Sequence, residues 1–91
     1  MRIIGEISHP KYKITLLKMN AKVTIQIENR LVSQSYVFRD GSGISDQNSA
    51  EKFLTQEFME SVDQRFEQMN KDYISTLEQI NKNELDDFEI I

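Results

Sequence analysis

One histidine, no cysteine and fifteen acidic side chains are what this 91-residue sequence offers to chemistry. His9 stands before Pro10, and Ser8-His9-Pro10-Lys11 reads as a turn, because proline cannot donate to a strand ladder and restricts the residue before it. A general base needs a nucleophile within reach, and a metal needs further ligands of the same kind. With no second histidine and no thiolate to join it, His9 is expected to be an exposed turn residue. The lack of cysteine also removes disulfides, and it fits a cytoplasmic location.

The loop Asp40–Glu51 comes closest to a chemical motif. Asp40, Ser42, Asp46, Asn48 and Glu51 match positions 1, 3, 7, 9 and 12 of an EF-hand calcium loop. Ile44 and Ser45 then occupy the places that require an oxygen ligand and a glycine, and no helix precedes the loop. The same acids suit the start of a helix, where backbone N–H groups favour negative charge. Gly41-Ser42-Gly43 has the composition of a phosphate loop but lacks its lysine and its spacing.

Glu57, Glu60, Asp63, Glu67, Asp72 and Glu78 could be paired for hydrolysis only if a cleft faced them. Their spacing instead describes the solvated side of a helix. No catalytic, cofactor-binding or metal-binding residue is therefore expected, and neither a cofactor nor an enzymatic activity.

A different chemistry is open to Lys11, Lys13, Lys22, Arg30 and Arg39, which could meet a phosphate backbone on one face of a sheet. Thr15, Gln26, Ser33 and Ser35 lie between them, with no aromatic residue for base stacking. Nucleic-acid association is thus the alternative to a protein–protein role rather than the leading reading.

The element that must position most of these residues is a long amphipathic helix over 49–82. Its apolar residues are Leu54, Phe58, Val62, Phe66, Met69, Tyr73, Leu77 and Ile80. From Phe58 the steps run 4, 4, 3, 4, 4, 3, which keeps the stripe on one face of a nearly straight helix. Asn48 with Glu51 offers a capping box, with Ser49 as a competitor. An acidic tail, 83–91, follows.

Ahead of the helix, four strands are expected at 2–8, 11–19, 22–28 and 31–39, joined by turns at His9-Pro10, Asn20-Ala21 and Asn29-Arg30. Pairing about Asn20-Ala21 sets Leu16 against Ile25 and Ile14 against Ile27 on the apolar face. Pairing about His9-Pro10 sets Ile7 beside Tyr12, Gly5 beside Ile14 and Ile3 beside Leu16, with Glu6 beside Lys13 on the wet face. Pairing about Asn29-Arg30 adds Val32, Tyr36 and Phe38 to the apolar face, and leaves Gln34 next to Ile25 as its one polar member. All three hairpins choose the same face, which a one-residue slip would destroy.

The expected fold is α+β: a four-stranded antiparallel meander followed by one long C-terminal amphipathic helix, in a single domain 1–91. Its core should centre on Leu16, Ile25, Ile27, Phe58, Val62 and Phe66. No apolar run is long enough for a membrane span, and the start Met1–Glu6 has neither the apolar core nor the cleavage site of a signal peptide. The opening Ile4–Pro10 resembles that of small bacterial proteins, which implies no activity.

Charge and length then point to a partner. Residues 1–39 carry seven basic side chains against two acids, a balance of +5, and residues 40–91 carry four against thirteen, a balance of −9. Strands of eight residues span roughly 26 Å, whereas a 33-residue helix spans roughly 50 Å. Met69, Tyr73, Leu77 and Ile80 should overhang the sheet, a contiguous apolar patch that monomers seldom expose. The expectation is a non-enzymatic interaction module, homodimeric through these four residues, serving as an adaptor, assembly component or chaperone-like protein.

Overall fold

The computed structural model describes the backbone of residues 1–90 and the side chains of residues 1–82. Four strands, β1 (Arg2–Ile7), β2 (Lys13–Met19), β3 (Lys22–Glu28) and β4 (Ser33–Phe38), form one antiparallel sheet in chain order. Two helices follow, α1 (Gln47–Phe53) and α2 (Gln56–Ile90). The architecture is the expected four-stranded meander with a long C-terminal helix. The acidic tail 83–91 falls outside the residues whose side chains are described.

The β2–β3 hairpin has the register that its turn dictates, with Leu16 opposite Ile25, Ile14 opposite Ile27 and Lys13 opposite Glu28. Asn20 adopts a φ of 56°, the left-handed conformation asparagine tolerates best after glycine. The two flanking hairpins differ from their sequence-derived registers by two residues. Ile7 pairs with Ile14 rather than Tyr12, and Glu6 with Thr15 rather than Lys13. In the β3–β4 connection Asn29 closes a longer turn, its Oδ1 accepting from the N–H groups of Leu31 at 2.8 Å and Val32 at 2.9 Å. Gln34 therefore lies opposite Ile27, and Tyr36 opposite Ile25.

A shift of two residues preserves the face, so the apolar side survives both corrections. Ile3 is the exception. The register shifts between Ile3 and Gly5, so Ile3 pairs with Leu17 on the outer face and is exposed, while Ile4 packs toward the core.

The expected single helix over 49–82 is broken at Leu54-Thr55. Leu54 ends α1 with φ −82° and ψ 64°, its N–H shared between the carbonyls of Ala50 and Glu51. Thr55 then starts α2, its Oγ1 accepting from the N–H of Phe58 at 3.1 Å. The physical reason is Phe53. In one straight helix Phe53 and Phe58 would be 140° apart, and only one could face the sheet. The break brings both rings into one cluster, with Phe53 4.7 Å from Phe38 and 4.6 Å from Phe58. The start of α1 also differs, being capped by Asp46 with Ser49 as its reciprocal partner rather than by Asn48 with Glu51.

Ile14, Leu16, Val23, Ile25, Ile27, Ala50, Val62 and Phe66 are buried. Phe58, expected at the centre, is half-buried against that cluster. Gln34 is buried among these side chains with every hydrogen-bonding atom engaged. Its Nε2 donates to the Val62 carbonyl at 3.2 Å, and its Oε1 accepts from the Tyr36 hydroxyl and from Arg65 Nε.

Candidate interaction surface

The first half of α2 is held to the sheet by three sets of contacts that end together. Phe58, Val62 and Phe66 enter the core cluster, and Met69 packs at its margin. Arg65 lies over the rings of Tyr36 and Phe58, 5.8 and 5.7 Å from their centroids, while its Nε donates to the Tyr36 hydroxyl at 3.2 Å. The last tie is between amides, Asn29 Nδ2 donating to Asn70 Oδ1 at 3.1 Å.

Past Asn70 every residue through Lys82 is exposed. Four of them are large and apolar: Tyr73 is 44% exposed, Ile74 46%, Leu77 44% and Ile80 49%. At 100° per residue they share one side of α2, the side that carries Phe66 against the sheet further back. Of the four residues expected to form the partner surface, Tyr73, Leu77 and Ile80 lie on this projecting segment. Met69 belongs instead to the edge of the intrachain core. Ile74 joins the surface, a residue that the four-and-three stepping passes over but that stands three positions from Leu77.

A polar cluster sits where α2 crosses the β1–β2 turn. The Tyr12 hydroxyl donates to Asp63 Oδ1, Lys11 Nζ lies 3.5 Å from Asp63 Oδ2, and the Tyr12 ring packs between His9 and Phe66 at 5.3 and 4.9 Å. His9 Nδ1 accepts from the Lys11 N–H at 3.1 Å, so the ring serves the turn, and it is half-buried rather than exposed. Burial, then the bond to Asp63 and its negative charge, push the Tyr12 hydroxyl up to about 12. Asp63 moves the other way, held below its ordinary value first by that hydroxyl and then by Lys11 and His9, against a smaller opposing effect of burial. A tyrosine made less acidic and a carboxyl made more so are both displaced away from neutral pH, the reverse of what general acid–base work needs. The cluster ties the turn to the helix.

The calcium-like loop has its central carboxylate already committed. Asp46 Oδ1 accepts from Ser49 N–H and Ser49 Oγ, each at 2.8 Å, and these bonds lower its pKa. Among the described residues no group of three or more histidines, cysteines or acids is placed to hold a metal ion.

The basic residues do not converge. Lys13 and Lys22 occupy opposite ends of the β2–β3 hairpin, and Lys11 turns to Asp63. Two rows cross all four strands on the outer face instead, one of Ile3, Leu17, Thr24 and Val37 and one of Glu6, Thr15, Gln26 and Ser35. Among the described residues no helix is long and apolar enough to cross a membrane.

Compared with protein-family models, curated proteins and solved structures, the chain matches none.

Proposed function

We propose that this protein is a non-enzymatic interaction module that self-associates through the projecting half of α2, acting as a homodimeric adaptor, assembly component or chaperone-like protein in the cytoplasm. The observation that carries this reading is the stripe of Tyr73, Ile74, Leu77 and Ile80, each more than two-fifths exposed on a helix that has left its own sheet. Contiguous apolar surface of this kind marks an interaction site in soluble proteins. A second copy of the chain is the natural occupant, because two-fold pairing is the commonest oligomer and needs only one self-complementary patch. Charge permits it: between Lys71 and Lys82 the helix carries Lys71, Asp72, Glu78 and Lys82, a neutral balance, so two copies meet without net repulsion.

Analytical ultracentrifugation at micromolar concentration tests the reading directly. A species of about 21 kDa, twice the 10.7 kDa of the chain, is expected. A monomer across the range with these four side chains still exposed overturns self-association.

A further inference from the structure

We propose that the free edge of β4 takes up an extended, acidic segment of a partner protein as a further strand of the sheet, with Arg65 holding its carboxylate. This deepens the adaptor reading above by naming what the module would carry, and it does not depend on self-association.

The direction of each backbone group follows from the tight turn at Asn20-Ala21. A two-residue hairpin closes on a hydrogen-bonded pair, here Met19 and Lys22, and such pairs then alternate along the ladder. Lys22, Thr24, Gln26 and Glu28 therefore bond to β2, while Val23, Ile25 and Ile27 turn to Phe38, Tyr36 and Gln34 of β4. The far end of the ladder agrees. Asn29 N–H donates to the Val32 carbonyl at 3.1 Å, which makes Ile27–Gln34 the next hydrogen-bonded pair. Ser33, Ser35 and Val37 are left with their N–H and C=O groups pointing away from the sheet, and no hydrogen bond among the described residues reaches them.

The opposite edge is closed. By the same alternation Glu6 is an outward residue of β1, and its carbonyl accepts from Gln47 Nε2 at 3.2 Å. The register shift between Ile3 and Gly5 interrupts the rest of that edge. Sheets ordinarily guard an edge with charge, proline, a bulge or a covering element. β4, Ser33-Gln34-Ser35-Tyr36-Val37-Phe38, has no charged residue, no proline and no break in its register with β3. An open row of donors and acceptors of this kind is what strand addition uses.

Arg65 selects the kind of strand. At 100° per residue, Asp63 and Arg65 leave α2 on opposite sides of Val62, Asp63 toward the β1–β2 turn and Arg65 toward β4. Arg65 Nε donates to Gln34 and Tyr36, while its two terminal nitrogens make no hydrogen bond or ion pair among the described residues. Those nitrogens carry the remaining N–H donors of a planar fork that matches a carboxylate. A strand added to β4 lies about 4.8 Å further out, and its alternate side chains rise on the face that carries Gln34, Tyr36 and Arg65. An aspartate or glutamate at such a position meets the guanidinium. A second copy of β4 has no acid to offer, and two-fold pairing would set two Arg65 side chains on the same face of one seam.

The probe is an acetylated and amidated nine-residue peptide in which valine and threonine alternate around a central glutamate. Added at millimolar concentration to isotope-labelled protein, it is expected to shift the amide resonances of Ser33, Ser35 and Val37 and to slow their hydrogen exchange. The same peptide with glutamine for glutamate should bind about two- to fivefold more weakly, the span of an exposed ion pair. Ser35→Pro removes an outward N–H and leaves the bonds to β3 in place, so binding should be lost with the urea midpoint held. Should that variant lose its fold, the peptide N-methylated at the residues flanking its glutamate takes its place, and it should not bind. No binding of the glutamate peptide, binding that leaves these three amides unmoved, or binding retained by Ser35→Pro overturns the proposal. Equal binding of the glutamine peptide overturns the part given to Arg65. Slow exchange at Ser33, Ser35 and Val37 in the free protein would place a second copy on this edge and overturn the proposal as well. Sedimentation reads self-association separately, so either proposal can fail alone.

Discussion

The side-chain amide of Gln34 on β4 donates to the backbone carbonyl of Val62 in the middle of α2, 3.2 Å away. The same side chain accepts from Tyr36 and from Arg65, so one buried polar residue joins a strand to a helix through three bonds. Truncation would strand these partners in a region from which water is largely excluded. Gln34→Ala is expected to cost about 1–3 kcal/mol in urea unfolding. A loss below about 0.5 kcal/mol would show that the bonds are replaced by water.

Phe66 stands at the other kind of junction, where burial alone decides. It is 3% exposed and packs on the Tyr12 ring at 4.9 Å. Phe66→Ala removes an aromatic ring from a filled core and should cost roughly 3–5 kcal/mol. Denaturant melts giving less than about 1 kcal/mol would mean that α2 is not packed on the sheet at this point.

Much of this arrangement is legible in the sequence because alternation fixes faces. The pairs Leu16–Ile25 and Ile14–Ile27 follow from a tight Asn20-Ala21 turn and are found as expected. The other two turns are longer than their sequences suggest, since the Asn29 side chain closes its own turn by hydrogen bonds that no apolar pattern encodes. An even shift of register left the buried face unchanged, and only the bulge at Ile4 exchanged faces, turning Ile3 outward and Ile4, expected beside Glu6 on the wet side, toward the core. The helix break was hidden for a related reason. The stripe from Phe58 onward is regular, and Phe53 signals its need for burial only once Phe38 and Tyr36 are in place across the space. Of the projecting surface, Tyr73, Leu77 and Ile80 could be read from their period. Ile74 could not, because its exposure depends on where the sheet ends.

The Tyr12–Asp63 bond gives stability a pH dependence with a definite sign. Asp63 has a lower pKa folded than unfolded, so its contribution is present above the ordinary carboxylate range and is lost as pH falls through the folded value. Tyr12 is raised from 10.0 to about 12, so its contribution is full below pH 10 and is lost as pH rises from there toward 12. Ultraviolet titration should show one tyrosine ionising late, and Asp63→Asn should bring it back toward 10. An unchanged late step in that variant would assign it elsewhere.

Calcium offers a check on the loop Asp40–Glu51. Asp46 is occupied in capping α1, and Ile44 contributes no side-chain oxygen at its position. Millimolar calcium should leave the melting temperature unchanged. A rise that a chelator reverses would make the loop a binding site, since a ligand specific for the folded state must stabilise it.

The projecting half of α2 gives the most decisive variant. Leu77 and Ile80 make no contact with the described core cluster, whereas Val62 and Phe66 are part of it. Replacing the first two with glutamate therefore puts charge on a surface without opening a cavity in the sheet–helix core. Two charged side chains on each copy would face two more across the proposed interface, where burying an unpaired carboxylate is strongly unfavourable. Leu77→Glu with Ile80→Glu is expected to give a monomer whose circular dichroism keeps the strand contribution and whose urea midpoint no longer varies with protein concentration. A protein that stays dimeric would move the interface elsewhere, with the outer row of Ile3, Leu17 and Val37 the next surface to substitute. Loss of the entire fold would show that the projecting segment belongs to the core of its own chain, contrary to the exposure of Tyr73, Ile74, Leu77 and Ile80.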